Sequence, residues 1–413
     1  MIIPEHLAYV LYIYLSVLVS VYSSAYIISI FHFGRKKYRR VDGTVDLNDL
    51  TILIPVYNEN VQLFSKCLSM VKNQGANFIV VGDGCGKPYD KITIENGGKF
   101  VQLKHNVGKK NALASGMKLV KSKYVMFLDS DTLLPKNAAL KLLEQFDERT
   151  GGVSAEVRII WERKKFIYYP SEMLQRLRQI SFKAMSNFGR VLVLNGQCAI
   201  YRTNLIKDFM FSDMFLNTKF MGRKMVIGDD MNITKHINRL RYKTKVAQDV
   251  VVKTKGQDSF KNLVKQSVRW SRSGYINFGS SIKDGSLFKN GIFYAFSMIY
   301  VYTLPLFVFL LLMLKGGLIV NVIVRRGIIG GILKIAHSFI YTPRLLSAFI
   351  IPYIGIKILS FAAAGILIFL ILNKMKRNKL RFLSYGSIML LVMFFTALYA
   401  ILSINKHDEW LTR

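Results

Sequence analysis

Acidic residues recur along one polar stretch of this chain where apolar runs give out: Asp83, the pair Asp129 and Asp131, and the vicinal pair Asp229 and Asp230. The run Tyr124-Val125-Met126-Phe127-Leu128 empties into Asp129-Ser130-Asp131, which puts two carboxylates on one side of an extended chain. Such hard oxygens suit Mg2+ or Mn2+ bound together with a diphosphate, where the metal neutralises charge on a departing nucleotide. Asp83, between Gly82 and Gly84, can accept a hydrogen bond from a ring N–H or a ribose hydroxyl while the glycines let the backbone come close to a flat ligand. Lys109 and Lys110 stand at the expected opening of a helix, a place that favours an anion. Gly228-Asp229-Asp230 supplies a base able to deprotonate an attacking hydroxyl, with a neighbour that shapes its pKa. Gln266, Arg269 and Trp270 offer a carboxamide, a bidentate phosphate contact and a flat face on which a sugar ring can stack.

Each motif has a plainer alternative: a strand-end turn, a capped helix start, or a membrane-surface helix rich in Arg and Trp. Five of them in this order favour the chemistry.

These residues need a scaffold. Short β-rich runs at 51–56, 78–81, 99–104, 124–128 and 152–160 alternate with helical patterns at 59–72, 109–121 and 136–148, which predicts a layered α/β domain. Acidic residues fall at the carboxyl ends of its strands, where open α/β sheets bind ligands. An amphipathic helix is expected over 258–283. Four apolar runs, 7–32, 291–314, 345–372 and 383–404, approach or exceed the ~20 residues of a spanning helix. Arg35-Lys36-Lys37 and Arg39-Arg40 after the first run place 35–290 in the cytoplasm and mark that run as an uncleaved anchor. The stretch 316–343, broken by Arg325, Arg326 and Lys334, is expected along the outer interface. The last run either spans or dips into the inner leaflet.

Hydrophobic residues make up 51% of the 413 residues, and 58 Lys and Arg face 25 Asp and Glu, a formal charge of +33. With no interleaved basic and aromatic binding module, nucleic acid is not the expected partner. Anionic lipid head groups and a polyphosphate donor account for the charge. Cys67, Cys85 and Cys198 lack metal-ligand spacing and are expected to be reduced thiols.

Taken together, the motifs resemble those of the membrane-embedded, processive family-2 glycosyltransferases, which include cellulose, chitin and hyaluronan synthases. The hyaluronan and chitin synthase branch, with the nodulation chitooligosaccharide synthases, is the most similar. Val193 to Arg202, containing Asn195-Gly196, resembles the acceptor-side segment of that branch, and Trp410-Leu411-Thr412-Arg413 resembles its WGTR tetrapeptide, with Leu411 in place of Gly.

The resemblance implies a GT-A-type glycosyltransferase domain, a mixed sheet with helices on both faces, plus α-helical transmembrane and interfacial segments. It implies an anchor at 1–34, a cytoplasmic catalytic domain at 48–256, an interfacial QxxRW helix at 257–285 and a C-terminal membrane region at 286–413. Asp230 with Asp229 would be catalytic, and Asp131 with Asp129 would hold the metal. Asp83, Lys109, Asp129, Arg269, Trp410 and Arg413 would bind the nucleotide; Gln266, Trp270, Asn195 and Gly196 would bind the acceptor. The donor implied is UDP-GlcNAc, joined by UDP-GlcA where the product is hyaluronan, with a growing polysaccharide as acceptor, at a multi-pass plasma-membrane site. A non-processive enzyme acting on a lipid-linked acceptor and a catalytically silent membrane scaffold are the rival expectations.

Overall fold

The computed structural model describes residues 5–34, 46–161, 165–225, 228–340, 350–373, 375 and 378–406. In chain order its elements are α1 (Glu5–Gly34), β1 (Leu50–Val56), α2 (Val61–Lys72), β2 (Asn77–Gly82), α3 (Tyr89–Glu95), β3 (Lys99–Gln102), α4 (Lys109–Met117), β4 (Tyr124–Leu128) and α5 (Ala138–Leu143). There follow β5 (Thr150–Ile159), α6 (Tyr168–Ser186), β6 (Cys198–Arg202), α7 (Thr203–Phe211), α8 (Asp213–Leu216), β7 (Lys219–Phe220), β8 (Arg223–Lys224), α9 (Asp229–Arg239) and β9 (Lys243–Thr254). The C-terminal third holds α10 (Phe260–Lys283), α11 (Ser286–Lys289), α12 (Ile292–Ile340), α13 (Ile350–Leu372), α14 (Lys379–Gly386) and α15 (Ile388–Leu402).

Seven strands form one sheet in the order β3-β2-β1-β4-β6-β5-β9. The β3, β2, β1 and β4 strands are parallel; β6 runs against both β4 and β5, and β9 is parallel to β5. Side chains alternate across a strand, so Ile52, Ile54, Val80, Met126 and Leu128 enter one buried cluster with Phe64, Leu68 and Val71 of α2 and Ala138 and Leu142 of α5. The opposite face receives α4, where a Cβ on Gly116 would collide with Leu53 and meet Val81 at 2.9 Å. Helices therefore cover both faces. Asn60 caps α2 by accepting from the Leu63 N–H at 2.9 Å, which starts that helix later than the expected 59.

The second half of the sheet differs in polarity. Val153, Ala155 and Val157 of β5 point into the apolar cluster, and the alternate residues Ser154, Glu156 and Arg158 are polar. Glu156 pairs with Arg158 and with Lys183 of α6, and Glu172 of α6 accepts from Arg176 at 2.8 Å and the Ile159 N–H at 2.9 Å. Buried ion pairs thus fasten α6 to the sheet. None of α6, β6 and β9 was foreseen as an element in the sequence.

Among the described residues, four helical segments are long and apolar enough to cross a membrane: Val10–Gly34, Ile292–Gly317, Ile354–Leu372 and Lys379–Leu402. Residues 316–340, where breaks were expected, continue the helix begun at Ile292 without interruption. Its 49 residues would run roughly 74 Å, well beyond one bilayer core. By contrast, Lys379–Leu402 is two helices joined at Ser387, and α15, at about 22 Å, is shorter than a hydrocarbon core. One face of α15, Met389, Val392, Thr396, Ala397 and Ala400, is buried, whereas Leu391, Phe395 and Leu402 are exposed. The buried Arg272 of α10 clasps its end, donating to Ser403 Oγ at 3.0 and 3.2 Å and to the Lys406 carbonyl at 2.8 Å.

Candidate active site

At the parallel edge, β2 ends at Gly82 and the Asp83 N–H donates to the Val56 carbonyl at 2.9 Å. The Asp83 carboxylate accepts the Val107 N–H at 2.7 Å and the Gly108 N–H at 3.0 Å. It therefore braces the turn that opens α4. Gly84 (φ +77) permits this approach, because a Cβ there would lie 2.5 Å from the Asn106 nitrogen.

The braced turn delivers Lys109 to the first position of α4. Its Nζ lies 2.5 Å from Asp129 Oδ1 and 3.9 Å from Asp229 Oδ2. Burial works against its charge, but Asp129 and Asp229 outweigh that and hold its pKa above the usual lysine value. One ammonium thus joins the Asp-x-Asp motif to the vicinal acid pair, 100 residues further along the chain.

Asp129 and Asp131 do not lie on an extended segment as expected. The Thr132 N–H donates to the Asp129 carbonyl at 3.0 Å, closing a turn, and the carboxylates diverge. Asp129 takes Lys109, and Asp131 accepts from Thr254 Oγ1 at 3.0 Å and Thr132 Oγ1 at 3.3 Å. Burial, and then repulsion from Asp129 and Glu59, push the Asp131 pKa up to about 7. Glu59 was missed in the sequence, although it too is an acid just past a strand end. Among the described residues no three His, Cys, Asp or Glu side chains form a metal cage. Mg2+ typically takes one or two carboxylates and completes its shell with substrate phosphates and water. Asp131, crowded by Asp129 and Glu59, fits a divalent cation in that way.

On the other side of Lys109, Gly228 (φ +87) opens α9 with Asp229 and Asp230 in its first turn. Burial, followed by the charge of Asp229, raises the Asp230 pKa to about 6 against the opposing charges of Lys109 and Arg178. Thr234 Oγ1 donates to the Asp230 carbonyl at 2.7 Å and accepts the Leu194 N–H at 2.9 Å, which holds the 194–196 segment against this turn. A Cβ on Gly196 would stand 3.2 Å from Asp230 Cβ and Oδ2. Asn195 is fully buried and donates to the Ala155 carbonyl at 2.7 Å, so the structure makes it a strut on β5.

Gln266 and Trp270 lie four residues apart on one half-buried face of α10, with Arg269 beside them. Ser273 continues that face onto α9: a Cβ on Gly228 would stand 2.7 Å from its Oγ. The Trp270 ring carries the guanidinium of Arg178 from α6 at 4.4 Å. Arg178 had no sequence signal, since 92 positions separate it from its partner. Trp410 and Arg413 lie outside the described residues.

A family model described as "Glycosyltransferase like family 2" matches residues 50–273, and one described as "Glycosyl transferase family 21" matches 211–355. An N-acetylglucosaminyltransferase of Azorhizobium caulinodans is 25% identical over 236 residues, covering 54% of this chain and 59% of that protein. Hyaluronan synthase 3 of Homo sapiens is 28% identical over 153 residues, covering 36% of this chain and 27% of that protein. The chain spans about half the length of the curated bacterial relatives it matches. A mannosyltransferase, PcManGT, from Pyrobaculum calidifontis, solved with GDP-Man and Mn2+, superposes with a TM-score of 0.57 at 15% identity, covering 89% of this chain and 99% of that one. That likeness is one of fold, and the expected GT-A architecture is the one observed.

Proposed function

Since the chain belongs to the glycosyltransferase like family 2, we propose that it is an inverting β-glycosyltransferase that elongates a hyaluronan- or chitin-like polysaccharide from UDP-sugars at the cytoplasmic face of the plasma membrane. The observation that carries this reading is Lys109, which gathers Asp129 and Asp229 around one point between a strand-end donor site and a helical acceptor site.

A divalent cation, Mn2+ or Mg2+, held by Asp131 and Asp129 would offset the charge of the donor diphosphate. Asp83 and Lys109 hold the nucleotide, and Arg269, with Trp410 and Arg413, takes the charge of the departing diphosphate. Trp270 stacks the terminal acceptor sugar beside Gln266 and Gly196. Asp230 takes the proton of the attacking hydroxyl on the face opposite the leaving UDP, with Asp229 beside it; a base titrating near about 6 is ionised at neutral pH and still basic enough to act. The apolar helices would keep the enzyme in the bilayer as a multi-pass protein.

The test is to incubate the nanodisc-held protein with Mn2+ and UDP-GlcNAc, alone and with UDP-GlcA, to measure UDP release and to resolve products by size. Long polymer supports the proposal, and the donors required name the product. Products one sugar longer than a lipid-linked acceptor would replace it with non-processive transfer. No UDP release with any UDP-sugar would overturn it in favour of a silent scaffold.

A further inference from the structure

We infer that Arg178 is a positioning residue for the acceptor: its guanidinium covers one face of the Trp270 indole and leaves the opposite face as the platform for the terminal sugar. This rests on the proposed role of Trp270 in stacking that sugar. The guanidinium carbon lies 4.4 Å from the Trp270 ring centroid, well inside the range of a cation–π contact. The same carbon lies 5.4 Å from the ring of Phe182, one turn further along α6, so the guanidinium contacts two aromatic rings.

Its helix is fixed as well. Before Arg178, Glu172 binds Arg176 and the Ile159 N–H. After it, Lys183 pairs with Glu156, and Ser186 Oγ accepts the Val246 N–H at 2.7 Å. The partner helix α10 is held by the Arg272 clasp on Ser403 and Lys406. Arg178 and Trp270 therefore join two helices that are each anchored elsewhere, and the plane of the indole cannot turn freely.

A sugar stacked on a fixed plane presents its attacking hydroxyl in one direction. The charge of Arg178 also acts on Asp230, favouring the ionised carboxylate. One side chain would therefore orient the nucleophile and lie close enough to influence the group that deprotonates it. The planar guanidinium suits this role, because an ammonium keeps the charge but loses the stacking.

The experiment uses the full chain in nanodiscs with Mn2+, UDP-GlcNAc as donor and chitotriose as added acceptor, comparing wild type, R178M, R178K, W270A and R178M/W270A. R178M should raise the acceptor KM about tenfold while leaving the donor KM and UDP binding unchanged. R178K should recover part of the loss, and the double variant should be no worse than W270A alone. If W270A raises the acceptor KM and R178M does not, or if their losses add in full, the inference is overturned. An equal rise of donor and acceptor KM in R178M also overturns it, since that marks a general structural loss. If W270A itself leaves the acceptor KM unchanged, the stacking role of Trp270 fails, and the inference fails with it.

Discussion

The proposed donor side and the proposed acceptor side of the site are built by different means. Asp83, Asp129 and Asp131 follow the ends of β2 and β4 in the parallel half of the sheet, and Lys109 opens α4, all within 49 residues of sequence. Asp230, Gly196, Arg178 and Trp270 come from α9, the segment before β6, α6 and α10, and they meet through side-chain contacts between those elements. A strand-end site inherits its geometry from backbone pairing, whereas a helix-borne site depends on each helix being fastened separately. This explains the buried ion pairs under α6 and the Arg272 clasp on α10. Lys109 touches both sides, so substitutions can tell whether they work as two parts or as one.

The largest effect should come from Asp230→Asn, which removes the base and should lower kcat on the order of a thousandfold while UDP binding, read by calorimetry, stays as in wild type. Loss of UDP binding in that variant would erase the distinction between the two sides. Lys109→Met should lower kcat/KM on the order of a hundredfold, because Asp129 and Asp229 are left facing each other without their shared cation. Steady-state kinetics should divide that loss between the donor KM and kcat; a loss confined to one of them would assign the lysine to a single side.

The pH dependence separates the two sides by remedy, since both lose activity as the pH falls. A protonated Asp230 cannot accept a proton, so kcat/KM should fall about tenfold per unit below a pKa near about 6 and level off above it. Protons also compete with metal at Asp131, whose pKa lies near about 7, so half-activation should need more Mn2+ as the pH falls. Saturating Mn2+ should restore the second loss and leave the first. A full rescue by Mn2+ would mean that the acceptor-side base does not limit the rate. The smallest effect is expected from Gly196→Ala, whose methyl would press on Asp230 from 3.2 Å; a displacement of a few tenths of an ångström should cost about fivefold in kcat, with the donor KM unchanged.

Short windows disclosed parts of both sides: on the donor side an apolar run emptying into Asp129 and Asp131 reads as a strand end, and on the acceptor side Gly228-Asp229-Asp230 reads as a helix start. Even so, the Asp131 carboxylate is held by Thr254, 123 residues away, and no local pattern announces that partner. The charges and glycines of 316–340 suggest breaks, yet the helix runs through them, because its hydrogen-bond ladder needs only backbone groups.

By itself, then, the sequence determined the strand-end carboxylates, the α/β layering and the apolar helices, because each follows from periodicity and residue type within a short window. The tertiary structure alone decided that Lys109 would join two acid pairs, that Asn195 would serve as a strut while Gly196 meets the base, and that Arg178 would lie on Trp270. Those contacts arise where separate elements pack together, and the energy of such packing is recorded in no stretch of neighbouring residues.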